Sequence, residues 1–302
     1  MKVIAHISDL HFGAEDQSIA AGLLHDLRQV APALIIASGD FTQRARRKQF
    51  VAARTYLDQI HCPRITVPGN HDIPLYDVFR RFLAPLTRYK HLIYSDVNPW
   101  FEDEEVAILG LNTARSLTWK SGRLSRDQIE LIRTRFPKIA RSRFRIIVTH
   151  HPFIPPPGDV DAGIDLVGGV ALALPVIDEC CVDLLLAGHL HQGYTGVTDS
   201  RSSSLQREDG GRVTDSRSSS LQQEDGGDVR AYYPATNRSI IVAQAGTAIS
   251  WRIRKKQPNG YNVLFLEGRR MTIAARAWAG TVFKESTRAT YDLVDQEWKH
   301  RS

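Results

Sequence analysis

Five short polar blocks carry side chains able to bind divalent cations: Asp9-Leu10-His11, Gly39-Asp40, Gly69-Asn70-His71-Asp72, His150-His151 and Gly188-His189-Leu190-His191. Carboxylate and amide oxygens combined with imidazole nitrogens suit hard and borderline metals. Two-metal hydrolysis needs cations about 3.5–4 Å apart, a ligand shared between them and an activated water. Asp40 follows a glycine that lets the chain turn closely, and its two oxygens could each serve one ion. Asp9 and His11 lie two residues apart, as do His189 and His191, so extended backbone would set each pair on one side. Asn70 offers a neutral amide oxygen, and His150 completes a set of seven ligands: Asp9, His11, Asp40, Asn70, His150, His189 and His191. His71 is then left for proton transfer, to a phosphate oxygen or to the leaving alkoxide. Asp72 is the residue expected to fix its tautomer. His151, which precedes Pro152, reads either as shaping the site or as packing. His6, His25, His61, His91 and His300 have no such context.

These blocks can meet only if strands deliver them. Val3–Ile7, Ala33–Ala37 and Arg64–Val67 read as strands, separated by helical patterns at Ile19–Val30 and Lys48–Ile60. That βαβαβ order implies parallel strands with helices packed on them, and sites form at the carboxyl ends of such strands. A further helix is expected over Asp77–Leu86, stopped near Pro85. Next come a strand at Val106–Leu111 and a helix at Ser125–Phe136 with Ser125 as N-cap. Short strands at Ile146–Val148 and Leu184–Leu186 each deliver a histidine block. The tail turns β-rich at Ile240–Ala243, Tyr261–Leu266 and Met271–Trp278, with a hairpin turn over Glu267–Arg270. The expected architecture is two sheets packed face to face with helices outside.

The chain has 302 residues, 42% hydrophobic and 24% charged, which is ordinary globular composition,. No stretch reaches the length of a membrane-spanning helix, and the N-terminal apolar run is too short for a signal peptide. Three cysteines form no disulfide framework or zinc-ribbon spacing, so reduced thiols in a cytoplasmic protein are expected,. Lys and Arg total 39 against 33 acids, a net charge of +6 that favours anionic substrates without requiring nucleic acid,. One segment stands apart. Residues 197–212 recur almost verbatim at 213–228, with changes only at Arg207/Gln223 and Arg212/Asp228. Rich in Ser, Asp, Gly and Arg, the pair cannot bury a core and reads as a duplicated 16-residue insert in a surface loop of a single domain.

Asp-x-His, Gly-Asp, Gly-Asn-His-Asp, His-His-Pro and Gly-His-x-His, in this order, resemble the signature of calcineurin-like metallophosphoesterases. The resemblance implies a four-layer α/β/β/α sandwich of two mixed sheets. It implies one metal held by Asp9, His11, Asp40 and His191, and another by Asp40, Asn70, His150 and His189, with His71 on the phosphate or leaving group. The ions would be Mn, Fe, Zn or a mixture, and the nucleophile a hydroxide shared between them. Leu111-Asn112-Thr113 and Gly122-Arg123-Leu124-Ser125 look most like bacterial class III cyclic-nucleotide phosphodiesterases, which implies a small phosphodiester substrate and is compatible with a homodimer. A nuclease is the first alternative, permitted by the basic runs Arg44–Lys48 and Arg252–Lys256, which otherwise read as solvated surface because no aromatic residues are interleaved. Cleavage of a nucleotide-sugar lipid pyrophosphate is a second, and would call for an exposed apolar entrance. A non-catalytic scaffold should lack ligands, and none is missing here.

Overall fold

The computed structural model describes residues 1–156, 166–199, 202–206, 238–254 and 257–301. The first half alternates as the apolar pattern requires: β1 (Lys2–Ile7), α1 (Gln17–Val30), β2 (Leu34–Ala37), α2 (Arg47–Leu57) and β3 (Arg64–Thr66). Two short helices follow: α3 (Val78–Leu83), which stops before Pro85 as expected, and α4 (Thr87–Leu92), for which no helix was expected,. The middle comprises β4 (Trp100–Glu102), β5 (Val106–Gly110), α5 (Arg126–Arg135), β6 (Phe144–Val148), α6 (Val170–Glu179) and β7 (Leu184–Ala187). Ser125 caps α5 as expected, its hydroxyl accepting from the Gln128 amide,. The remaining strands are β8 (Tyr194–Asp199), β9 (Ser202–Gln206), β10 (Ile241–Gln244), β11 (Gly260–Glu267), β12 (Arg270–Trp278), β13 (Phe283–Val294) and β14 (Glu297–Arg301).

They form two seven-stranded sheets, ordered β14-β13-β12-β11-β1-β2-β3 and β4-β5-β6-β7-β10-β8-β9. In the first, β1, β2 and β3 run parallel and the β-rich tail adds antiparallel strands. In the second, β5, β6, β7 and β10 run parallel, flanked by antiparallel β4 and β8. Side chains divide with a period of two. Ile4, Leu34, Ile36, Ile108, Ile146 and Leu184 fill the core between the sheets. Their neighbours Ala5, Ile35 and Ala37 pack under α1 and α2, and Ile147 and Leu185 pack under α5 and α6. Both faces of the central strands are covered, which is why they read as continuous apolar runs. The result is the four-layer α/β/β/α sandwich.

The duplicated segment begins inside this framework. Residues 197–199 close β8, where Val197 is buried in the inter-sheet core, and Ser202–Gln206 pair with β8 as β9. The first copy therefore starts in an edge hairpin, not in a surface loop, because β8 needs its last residues to pair with β10. The rest of both copies lies outside the described residues.

Candidate metal centre

The five blocks lie directly after β1, β2, β3, β6 and β7, at the carboxyl ends of parallel strands from both sheets. Three of these strands, β1, β2 and β7, end in sharp turns. Asp9, His11, Asp40, His189 and His191 all have positive φ, at 53°, 47°, 54°, 73° and 56°. Side chains other than glycine hold such angles at a cost of about 1–3 kcal/mol each, so five together mark a site that the surrounding structure overdetermines. Neighbouring glycines permit the approach. At Gly39, with φ of +97°, a Cβ would lie 2.7 Å from the His150 Nδ1, and at Gly188 it would collide with the Ser8 hydroxyl.

In Asp9, Asp40, Asn70, His150 and His191 one side-chain atom is already engaged, which leaves the other for a cation. Ser8 Oγ and the His189 amide donate to Asp9 Oδ2 at 2.6 and 3.0 Å. Asp9 Oδ1, fully buried, accepts no hydrogen bond and lies 3.2 Å from His191 Nε2. The His71 amide donates to Asp40 Oδ1 at 2.8 Å. Asp40 Oδ2 then lies 3.6 Å from His11 Nε2 and 3.4 Å from His150 Nε2. Asp40 thus turns one oxygen towards both histidine groups while the other accepts from backbone. His150 Nδ1 donates to the Ser38 carbonyl at 2.7 Å and His191 Nδ1 to the Arg252 carbonyl, which leaves both Nε2 lone pairs facing inward,. His11 and His191 bring their Nε2 atoms within 3.0 Å. Asn70 Oδ1 is 3.1 Å from both His150 Nε2 and His189 Nδ1, its amide nitrogen donating to the Trp119 carbonyl.

The donor set fits two cations on these observations. Asp9, His11, Asp40 and His191 present one ligand atom each within 4.8 Å of one another. Asn70, His150 and His189 surround the second position, with Asp40 Oδ2 between them. An orphaned buried carboxylate oxygen beside converging imidazole lone pairs is costly without a cation. Electrostatics agree. Burial drives the pKa of His11 down to about 4 and that of His189 to about 3, so both are neutral donors. Burial also opposes ionisation of Asp9 and Asp40, but the facing histidines, His191 and His150 first among them, hold both carboxyls well below the usual range. Burial opposes charge on His150, but Asp40 overrides it and pushes the pKa up to about 9, so without a cation Nε2 holds the proton that a cation would displace.

His151 falls in the same histidine group, yet its ring nitrogens are already used. Nε2 donates to the Lys120 carbonyl at 2.6 Å, and Nδ1 accepts from the Thr113 hydroxyl at 2.7 Å. It braces the site wall and has no lone pair left to ligate. The expectation for Asp72 is corrected. Its oxygens accept from the amides of Phe41, Thr42 and Gly69 and from the Thr42 hydroxyl, which ties the Asp40 loop to the Asn70 turn. The His71 tautomer is set by Gln43, whose carbonyl accepts from Nδ1 at 2.9 Å.

The sequence sets Arg252 in a basic run that reads as solvated surface. Arg252 belongs to the site: its guanidinium lies 3.1 Å from Gln43 Oε1 and 3.2 Å from His71 Nε2. No motif marks it, and a charged run offers no signal of a contact made 181 residues back along the chain. Burial lowers the His71 pKa, and the Arg252 charge pushes it the same way. Lys255 and Lys256 of the same basic run lie outside the described residues.

The profile of the calcineurin-like phosphoesterase family matches residues 2–193. A probable cyclic nucleotide phosphodiesterase of Synechococcus sp. is 26% identical over 202 residues, 63% of this chain and 74% of that protein. The glycerophosphodiester phosphodiesterase GpdQ of Enterobacter lignolyticus is 29% identical over 96 residues, 28% of this chain; the match spans about a third, 34%, of that relative. A solved dimetal phosphatase from Danio rerio shares the fold with a TM-score of 0.62 at 14% identity, covering 96% of this chain and 98% of that one.

Proposed function

This chain belongs to the calcineurin-like phosphoesterase family, metal-dependent phosphoric ester hydrolases, and from that premise we propose that it hydrolyses a small phosphodiester, with a cyclic nucleotide as the leading case. The observation that carries the reading is the convergence of Asp9, His11, Asp40, Asn70, His150, His189 and His191 on two adjoining positions, with His71 and Arg252 on the same side. Two ions bound there, Mn, Fe or Zn by the chemistry of the donors, would supply Lewis acidity to the phosphate and an acidified water.

The protein's own groups do the rest. Asp9 and Asp40 provide the anionic charge that makes the centre a cation site, and neutral His11 and His189 complete it without adding charge. His71 holds its one ring proton at Nδ1, on the Gln43 carbonyl. Nε2 is therefore the atom that takes up a proton and delivers it to the departing alkoxide. Arg252 donates towards that same nitrogen. A phosphate oxygen arriving between them would draw the guanidinium to itself, as its planar fork favours, and free Nε2. The printed name of the Synechococcus relative supports cyclic nucleotides as substrate. The free thiols Cys62, Cys180 and Cys181 support a cytoplasmic setting,, and no helix among the described residues is long and apolar enough to cross a membrane.

A metal-reconstituted screen tests the reading, comparing 3′,5′- and 2′,3′-cyclic nucleotides, linear diesters, monoesters and single-stranded DNA. The highest kcat/KM is expected on a cyclic nucleotide. Faster turnover of monoesters would overturn the diester reading, and faster turnover of DNA would make the protein a nuclease.

A further inference from the structure

Helix α3 is built inside out. Its one buried side chain is Arg81, 5% exposed, while Phe79 and Leu83 are each 81% exposed. Tyr76, Val78 and Phe82 are exposed alongside them. Arg81 donates to the carbonyls of Pro74 and Thr118 and lies over the Trp119 ring, 5.6 Å from its centre. It thereby fastens the helix to a loop whose Leu117 and Trp119 are exposed as well, at 85% and 66%. That loop abuts the metal centre, since the Asn70 amide donates to the Trp119 carbonyl. On the Arg252 side of the centre, Trp251 and Ile253 are also exposed. Most of the exposed large apolar side chains among the described residues therefore lie on segments tied to the metal centre, through the Trp119 carbonyl on one side and Arg252 on the other, and a buried cation holds part of that collar in place. A soluble surface does not assemble such a patch without a partner.

Charge says what the partner is. Arg88 donates to the Ala45 carbonyl and Arg252 to the Gln43 side chain, which sets both against the basic run Arg44–Lys48, where Arg46, Arg47 and Lys48 are exposed, so a basic belt runs beside the collar. Lys120 is exposed next to Trp119. Asp77 and Arg80 pair with each other at 2.9 Å and so add no net charge to the belt. Aromatic and aliphatic side chains bordered by arginines and lysines match the boundary between acyl chains and anionic headgroups. Single-stranded nucleic acid would want a ring at each contact, and Val78, Leu83 and Leu117 give it none to stack on. A second copy docked by this face about a two-fold axis would set one basic belt against another.

We propose that this collar docks the protein on a lipid bilayer bearing anionic headgroups, with the mouth of the metal centre turned towards the membrane. The docking does not depend on which diester is cleaved. It supplies the apolar entrance that a lipid-linked substrate calls for, and it confers access to amphiphilic diesters that a soluble cyclic nucleotide would not need.

The test is co-sedimentation of the full chain with phosphatidylcholine vesicles, with and without phosphatidylglycerol. Phe79→Ser with Leu83→Ser is the variant, and hydrolysis of a soluble aryl diester is the fold control. The wild type should sediment with the phosphatidylglycerol vesicles, less so at high salt. The double variant should partition about tenfold or more weakly while hydrolysing the soluble diester as before. Absence of sedimentation with anionic vesicles overturns the proposal, as does a variant that binds like wild type. So does wild-type dimerisation, or oligonucleotide binding, that the variant loses while neither protein binds vesicles. If neither protein hydrolyses the diester, the hydrolase reading fails and the vesicle result still stands alone.

Discussion

The floor of the site and its rim invert the usual rule of burial in opposite senses. The floor buries what normally seeks water: Asp9, His11 and His150 are fully buried and Asp40 nearly so. The rim exposes what normally avoids it, from Phe79 and Leu83 to Trp119. Each inversion costs stability unless something absent from the polypeptide alone compensates it. For the floor the compensation is cationic. For the rim it is an apolar phase with negative charge at its edge. The difference separates two properties that one pocket would otherwise merge: the floor fixes the reaction, and the rim fixes where the substrate is met.

Substitutions can break that division or sharpen it. Asp40→Asn should have the largest effect, because it removes the charge from the one oxygen that both histidine groups share. A fall in diester hydrolysis of about 10³-fold or more, some 4 kcal/mol of barrier, is expected from steady-state kinetics; near-normal activity would disqualify Asp40 as the shared ligand. His71→Ala comes next, with a drop of about 10²–10⁴-fold on an alkyl diester and much less on a nitrophenyl one. An equal loss on both would remove the proton-transfer role. Arg252→Ala should lower kcat/KM roughly ten- to a hundredfold, and Arg252→Lys should restore part of it, since lysine keeps the charge but loses the fork. Lysine no better than alanine would show that charge is not what Arg252 contributes. At the rim, Phe79→Ser with Leu83→Ser should shift unfolding free energy by no more than about 0.5 kcal/mol, as for other exposed positions. Chemical denaturation reads this out, and a large destabilisation would mean that the face supports the fold.

The floor was legible in the sequence because its constraints are local. A metal-binding block that follows a strand end draws on a short list of residue types, so the seven residues that the structure brings together stood out in order. The central strands were equally plain, since covering both faces leaves them apolar throughout. What escaped was set by distant neighbours. β13 presents Lys284, Glu285 and Arg288 to solvent and so hid its strand period. α6 carries Pro175 inside it. The apolar spacing of Val78, Phe79, Phe82 and Leu83 marked a helix correctly, but periodicity cannot say which side faces water, and Arg81 took the buried position that its neighbours would ordinarily fill. Adjacency to His71 suggests a tautomer-fixing role for Asp72, whereas the turn at Asn70–Asp72 points it at the Asp40 loop.

The central claim is a centre of two cations that share Asp40. Metal content per chain, measured after equilibrium dialysis of the wild type and of Asp40→Asn alongside diester hydrolysis, tests it most directly. The wild type should hold two ions per chain and lose activity as they are removed by chelator, and Asp40→Asn should hold fewer and stay inactive. A fully active protein holding one ion or none would contradict the account.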